Sequence, residues 1–484
     1  MHFIDITIFL AYMLGMLGIG VYFLKKNSGT EDYYVGGRQM GSWHIGLSVV
    51  ATDVGGGFSI GLGGLGFLMG LSGSWMLFTG LLGAWLAAVL LIPRVRQNRA
   101  FAHFFTLPQL YGHFFGRRVA LLAGIISAIG YTGFTSSQML AGAKLASGTF
   151  AGLELLPALL IMGVLAVVYT VMGGIKAVIY TDTVQWIILM AGLLFIGLPV
   201  CYYAVGGWAA IQATLPPHFF SFSNIGWVQL LNWAITIIPI WFVGMTLYQR
   251  IFACRNEQSA KKAWFIAGLF EWPIMALMGV SLGLLSRVAA EQGMFAYMGL
   301  ADAGALDAEQ GLPLLLRTVL PVGLMGLMMS AYFSAILSTA DSCLMAASGN
   351  VVTDLIGNLR KQALSEKGVL RLSQWITLGI GVLALGLASF MHNVLSLMLY
   401  SYAFMVSGLL VPLVAALFFG SRHGQAAFWA MLVGGSLTVV LTVLAIPLPY
   451  SLDANLFGLL GSLITYCSIS TLRPLPVLHQ QAAA

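Results

Sequence analysis

The sequence predicts an all-α polytopic membrane protein with about thirteen transmembrane helices. Composition is the first sign: 59% of the 484 residues are hydrophobic and only 8% are charged, against about 25% charged in a soluble globular chain. Mean hydropathy, at +0.91, is the second. The third is where the basic residues fall. The net charge is +6, but Lys and Arg sit in short segments between long apolar runs and not on one solvated face. That distribution excludes nucleic acid as the partner. Cys201, Cys254, Cys343 and Cys467 lie far apart with no CxxC pair, so they form neither a metal or redox motif nor a disulfide framework.

A helix needs about 20 mostly apolar residues to cross the hydrocarbon core. Runs of that kind, bounded by charged or Gly/Pro-rich breaks, cover approximately 4–24, 43–70, 75–92, 119–145, 155–172, 177–203 and 227–252. They continue over 263–286, 314–350, 370–391, 394–420, 424–446 and 454–470. The first run lacks a basic flank before it and is long enough to span, so it reads as a helix and not a cleavable signal. The run 314–350 is too long for one straight crossing.

Thirteen crossings put the termini on opposite sides. With the N-terminus outside, the inside segments collect every Lys and Arg except Lys144, Arg287 and Arg317. The positive-inside rule assigns that side to the cytoplasm. The long outside loop, Arg287 to Leu312, is net acidic through Glu291, Asp302, Asp307 and Glu309. The expectation is therefore a multi-pass protein of a plasma or inner membrane, N-terminus outside and C-terminus cytoplasmic. No Walker A pattern is present, so uphill transport would draw on an ion gradient.

Acids inside apolar runs are the informative residues. Asp53, Asp182, Glu271 and Asp341 lie there, where a charge costs about 2.5–3.5 kcal/mol on an insertion scale. Such groups usually face a cavity, an ion or a partner. An acid near a helix end can instead reach headgroup water, an alternative that applies most to Glu271 and next to Asp182.

Asp53 is followed by Val54, three consecutive glycines and Phe58. Glycines weaken a helix by about 1 kcal/mol each relative to Ala, and non-helical backbone is tolerated in a membrane only where it lines a cavity or is buried in protein. A break over Ala51 to Gly57 would offer carbonyl oxygens and a carboxylate at mid-membrane depth, hard ligands suited to an alkali cation. The following Gly61-Leu-Gly-Gly-Leu-Gly66 matches GxGxxG, but no strand precedes it and no ribose-binding acid follows. Close helix packing is its reading.

The seventh run has Pro239 and Gly244 on either side of Trp241, so it too can break or kink. Two interrupted spans separated by five match the pattern of an inverted repeat with binding at its interface. In the ninth run, Ala335, Ser338, Thr339 and Ser342 are spaced to share one helix face, with Asp341 in the same turn. Hydroxyls in helices commonly bond the carbonyl four residues back; an acid beside them favours an ion site.

With Gly173-Gly-Ile-Lys-Ala-Val-Ile-Tyr-Thr-Asp-Thr-Val-Gln185, Leu337-Ser-Thr-Ala-Asp-Ser342, the glycine-rich second span and Tyr248-Gln-Arg-Ile251, the chain resembles the sodium:solute symporter family over roughly Ile4 to Ser470. That family includes sodium-coupled sugar, proline, pantothenate, sialic acid, iodide and choline transporters. The resemblance implies a leucine-transporter-like inverted repeat of five plus five helices: residues 1–42 a first helix and loop, 43–203 the first repeat, 204–226 an external connection, 227–420 the second repeat, and 421–484 two final helices and a tail. It implies a first sodium site at the carbonyls of Ala51, Val54 and Ala335 and the hydroxyls of Ser338 and Thr339. A second cation site falls at Asp182, Asp341 and Ser342, where Asp341 puts a carboxylate in place of the hydroxyl of sialic acid transporters.

For substrate, Asp53, Gly56, Phe58, Trp75 and Trp241 are the candidates. Text around Val54 to Phe58 is similar to the choline-transporting branch, yet Asp53 stands where that branch places an aromatic, and the proline-transporting branch also has an aspartate there. The expectation is sodium-coupled import of a small polar solute, amino acid-like, zwitterionic or carboxylate, by alternating access, with sodium as co-transported ion and no organic cofactor. Choline or sugar symport, or a proton-coupled or passive carrier of the same fold, are the alternatives. An enzyme is not expected, because no HExxH or paired catalytic cluster is visible, and neither is a fused signalling domain.

Overall fold

The computed structural model describes residues 2–26, 35–150, 152–300, 303–357 and 365–473; within these, the side chains of residues 17, 20, 21, 23–26, 54, 57, 58, 172–177, 366 and 367 are outside the description. Among the described residues the secondary structure is helical apart from one isolated β-bridge between Met40 and Cys254. The helices are α1 (Phe3–Lys26), α2 (Ser42–Met69), α3 (Trp75–Leu86), α4 (Ile92–Gln97), α5 (Leu107–Phe115), α6 (Arg117–Thr149) and α7 (Leu155–Gly192). Then come α8 (Leu198–Ala204), α9 (Gly207–Thr214), α10 (Trp227–Val243), α11 (Met245–Ala253), α12 (Glu257–Leu269) and α13 (Ala276–Glu291). The last are α14 (Ala308–Val319), α15 (Leu324–Gly349), α16 (Glu366–Ser389), α17 (Val394–Phe419), α18 (Gly424–Val443) and α19 (Ala454–Leu472).

All thirteen expected runs fall on helix, but the run 155–172 and the start of 177–203 share the single helix α7, and fewer runs qualify as crossings by length and apolarity. Nine helical stretches among the described residues do so, or ten when the bent pair α10–α11 is counted as one span. The apolar parts of α1 and of Leu155–Val171 are shorter. The run 314–350 divides as its length requires: its first residues close α14, and α15 begins after the Leu320–Gly323 turn.

Both expected breaks exist. Inside α2, Gly55 takes φ 37° and ψ −166°, a left-handed φ that favours glycine. The α10–α11 pair bends by 43° at Gly244. Pro239, by contrast, sits inside continuous helix, so the glycine makes the break and the proline does not. Arg250, expected among the charges at the end of the seventh run, lies within α11 and is fully buried.

α2 is the centre of the bundle, packed by α7, α12, α13, α14, α15 and α17. Its start is tied to the end of α11 through Met40, whose N–H donates to the Ala253 carbonyl (3.0 Å) and whose carbonyl accepts from Arg255 (3.2 Å). The Gly61–Gly66 stretch is a packing surface. A Cβ on Gly66 would lie 2.2 Å from the Val280 carbonyl oxygen, and one on Gly283 would lie 2.1 Å from that of Gly63. α2 and α13 therefore meet backbone to backbone, which small residues permit.

Candidate functional site

The break in α2 is pressed against α15. A Cβ on Gly55 would lie 2.6 Å from Thr339 Oγ1, and one on Gly56 would lie 1.9 Å from Ile336 Cγ1. Only glycine allows this approach. It brings the α15 hydroxyls to the loosened carbonyls of α2: Thr339 Oγ1 donates to the Ala51 carbonyl at 3.0 Å and lies 3.2 Å from that of Ala335. Ser338 Oγ donates to the same Ala335 carbonyl at 3.1 Å. Four of the five residues expected at the first sodium site, Ala51, Ala335, Ser338 and Thr339, are thus in one cluster. The side chain of the fifth, Val54, is outside the described set.

Asp182 lies beside this cluster, with Ser338 among its side-chain neighbours. Its Oδ2 accepts from Ser48 Oγ (2.5 Å) and from Arg250 Nη2 (3.3 Å). The same guanidinium donates to Thr52 Oγ1 (2.5 Å), Ser342 Oγ (3.0 Å) and, through Nε, Ser48 Oγ (3.0 Å). Asp182 and Arg250 are both fully buried, so a side-chain cation stands where a second free cation was expected. Asp341 is not hydrogen-bonded into this group. It accepts from Thr170 Oγ1 at 2.5 Å through Oδ1, while Oδ2 is buried without a hydrogen-bond partner among the described residues.

The remaining intramembrane acids face each other. Asp53 and Glu271 have their carboxyls within hydrogen-bonding reach, at 5% and 0% exposure. Tyr402 Oη donates to Asp53 Oδ1 at 3.4 Å. Asp53 Oδ2 and both oxygens of Glu271 accept from no described donor, and no described Lys or Arg pairs with either residue. Glu271 reaches inward from an irregular turn, Phe270–Met275, where Trp272 leaves helical geometry (φ −140°, ψ 126°). The headgroup-water alternative therefore does not apply to it. Space for its carboxyl comes from Gly80, where a Cβ would lie 2.0 Å from Oε2.

Of the expected substrate contacts, Gly56 is set by the close approach to Ile336. Trp241 is fully buried beside Trp264, with ring centroids 6.4 Å apart, and its Nε1 has no described acceptor. Trp75 is tied elsewhere, its Nε1 donating to the Phe222 carbonyl at 2.8 Å in the segment before α10. The Phe58 side chain lies outside the described residues. Sequence reasoning missed Arg250 as a site residue, although the Tyr248-Gln-Arg-Ile251 text contained it. It also missed Ser48, Thr52, Thr170 and Tyr402, whose polar groups inside apolar runs were the available signal.

An interrupted α2 opposed by a stripe of hydroxyls on α15, with the second half of the bent pair α10–α11 touching α2, is an arrangement suited to a secondary transporter. The model of the sodium:solute symporter family matches residues 33–434, and the chain belongs to that family. It is a sodium-coupled solute symporter and not an enzyme. The high-affinity proline transporter PutP of Bacillus subtilis (strain 168) is 30% identical over 439 residues, covering 88% of this chain and 89% of that protein. Sodium/glucose cotransporter 1 of Ovis aries is 26% identical over 481 residues, covering 89% of this chain and 70% of that protein. A Na+-coupled sialic acid symporter, solved in a substrate-bound outward-open state, superposes with a TM-score of 0.78 at 20% identity over 97% of this chain and 98% of the other. That likeness shows the shared leucine-transporter-like fold.

Proposed function

We propose that the protein couples sodium to the uptake of a small amine-bearing zwitterion, an amino acid or close analogue, by alternating access. The observation that carries this reading is the contact between Asp53 and Glu271. Two carboxylates in contact and shielded from water cannot both hold charge unless a cation joins them. A primary or secondary ammonium satisfies both through N–H donors, which a sugar or a quaternary amine lacks in charged form. Beyond the break, the second half of α2 starts at Gly56. Its first N–H groups and helix dipole suit a carboxylate, so both ends of a zwitterion have a counterpart on one helix. The likeness to a proline transporter supports the same class.

Sodium in this reading takes the carbonyls of Ala51, Val54 and Ala335 and the hydroxyls of Ser338 and Thr339. It joins α2 to α15 and completes the substrate cavity. Asp341, with one oxygen unpartnered, is the group left for a second cation, because Arg250 already serves Asp182 and Ser342. The five-plus-five repeat then rocks to open inward, with the N-terminus outside and the C-terminus cytoplasmic. Each positive charge moved inward gains about 2.3 kcal/mol per 100 mV.

The test is uptake into proteoliposomes under an imposed sodium or potassium gradient, with labelled proline, other amino acids, choline, betaine and glucose. Sodium-dependent accumulation of an amino acid, with no transport of glucose, is expected. Accumulation of glucose alone, or uptake indifferent to sodium, overturns the reading.

A further inference from the structure

Away from the transport path, α6 opens on Arg117 and Arg118, with no acid in its first turn and no side-chain cap. Two cations there oppose the positive end of the helix dipole, which favours negative charge by about 0.3–1 kcal/mol per group. α18 starts beside it, also without an acid in its first turn. Both helix starts border one cavity of about 710 Å³, lined by Arg117, Arg118, His423, Gln425, Trp429 and Arg473 among others. His423 supplies no negative charge: Nδ1 accepts from the Ala426 N–H (3.1 Å) while Nε2 lies 2.6 Å from the Arg473 carbonyl oxygen, so Nε2 is the donor. Arg473 Nη1 reaches, among the described residues, the amide oxygen of Gln425, at 3.5 Å. Among the described residues no carboxylate pairs with Arg117, Arg118 or Arg473.

This basic cavity has a neighbour. A second one, of about 420 Å³, shares Gln425, Trp429 and Arg473 with it and continues past Val433, Thr465 and Ile469 between α18 and α19. Gln425, Trp429 and Val433 are four residues apart in turn, so they form one stripe roughly 12 Å long down α18. The pair of cavities therefore combines guanidinium groups that no described carboxylate neutralises with a lengthwise, largely apolar groove between α18 and α19.

We propose that the joined cavities are a binding site for an anionic phospholipid. Its phosphate sits between Arg117, Arg118 and Arg473, and one acyl chain lies in the α18–α19 groove. Guanidinium groups bind phosphate oxygens in bidentate fashion, and basic pockets between membrane helices are suited to acidic headgroups. The half-exposed ring of Trp429 lies at the join, where an indole bridges headgroup and hydrocarbon. Free phosphate would use the arginines but leave the groove unused.

The experiment is native mass spectrometry of the full-length detergent-purified protein, titrated with dioleoyl phosphatidylglycerol, dioleoyl phosphatidylcholine or inorganic phosphate. The wild type is expected to hold phosphatidylglycerol at least tenfold more tightly than phosphatidylcholine. The double variant R117Q/R118Q and the single variant R473Q should each lose most of that preference. Val433→Trp, which fills the groove, should weaken the lipid and not inorganic phosphate. Lys262→Gln, an exposed charge on α12, should change nothing. Equal binding of the two lipids, or an equal loss in Lys262→Gln, overturns the site. Displacement of phosphatidylglycerol by equimolar inorganic phosphate overturns the lipid as its occupant. Should R117Q/R118Q fail to fold, R473Q and Val433→Trp carry the same comparison.

Discussion

Thr339 Oγ1 donates to the backbone carbonyl of Ala51 across 3.0 Å, joining α15 to the loosened part of α2. Both oxygens are ligands in the proposed sodium site. Thr339→Val keeps the shape and removes the hydroxyl. A bond to a charged partner contributes roughly 1.5–3 kcal/mol, so the sodium concentration for half-maximal uptake should rise about tenfold or more. Thr339→Ser should stay near wild type, and an unchanged sodium curve for the valine variant would remove Thr339 from the site.

Gly56 is in van der Waals conflict with any side chain, because the nearest atom to its missing Cβ is Ile336 Cγ1 at 1.9 Å. Gly56→Ala should destabilise by about 1–3 kcal/mol, as overpacked cores do. Trimming the neighbour in Gly56→Ala/Ile336→Ala should restore part of the loss. Gly66→Ala meets the carbonyl of Val280 instead, and no side-chain trimming should relieve it. Thermal unfolding in detergent separates the two cases.

Breaking a buried ion pair by removing one partner costs about 3–5 kcal/mol. Arg250→Gln leaves Asp182 buried without its cation and should lower thermal stability by an amount of that order. Asp182→Asn/Arg250→Gln removes both charges and should lose less than the two single variants added together. Strict additivity would mean that the 3.3 Å contact contributes no coupling.

Glu271→Gln keeps the volume beside Gly80 and removes one charge of the acid pair. The concentration of amino-acid substrate for half-maximal uptake should rise at least tenfold, while the sodium dependence measured at saturating substrate stays within about threefold. Equal shifts in both curves would indicate a role in the fold and not in substrate binding.

Much of this arrangement is legible in the residue order because membranes punish exceptions. Three glycines after an aspartate in an apolar run predict a break, and the left-handed Gly55 supplies it. Hydroxyls at 338, 339 and 342 predict a polar stripe, and the cluster at Ala51 realises part of it. What sequence could not supply is pairing across long separations. Nothing local marks Arg250 as the partner of Asp182, 68 residues away, and its position at the end of a run reads equally well as a loop charge. Glu271 is similar: its proximity to a helix end suggested water, whereas an irregular turn aims it at Asp53. Pro239 was the more obvious breaker by composition, but its missing donor is tolerated within α10 and the bend falls at the glycine that follows.

The approach of Gly66 to the Val280 backbone and of Gly283 to the Gly63 backbone fixes α2 to α13 at two points where no side chain can slide or repack. In the proposed transport cycle those two segments travel together as a stiff plate. Any reorientation of the inner part of α2 against this plate has to be absorbed by rotation about Gly55, the residue whose φ already departs from the helix. In the proposed cycle the swing of the carrier is thereby concentrated at the level of the proposed sodium ligands, where the presence or loss of one ion would decide which side the plate faces.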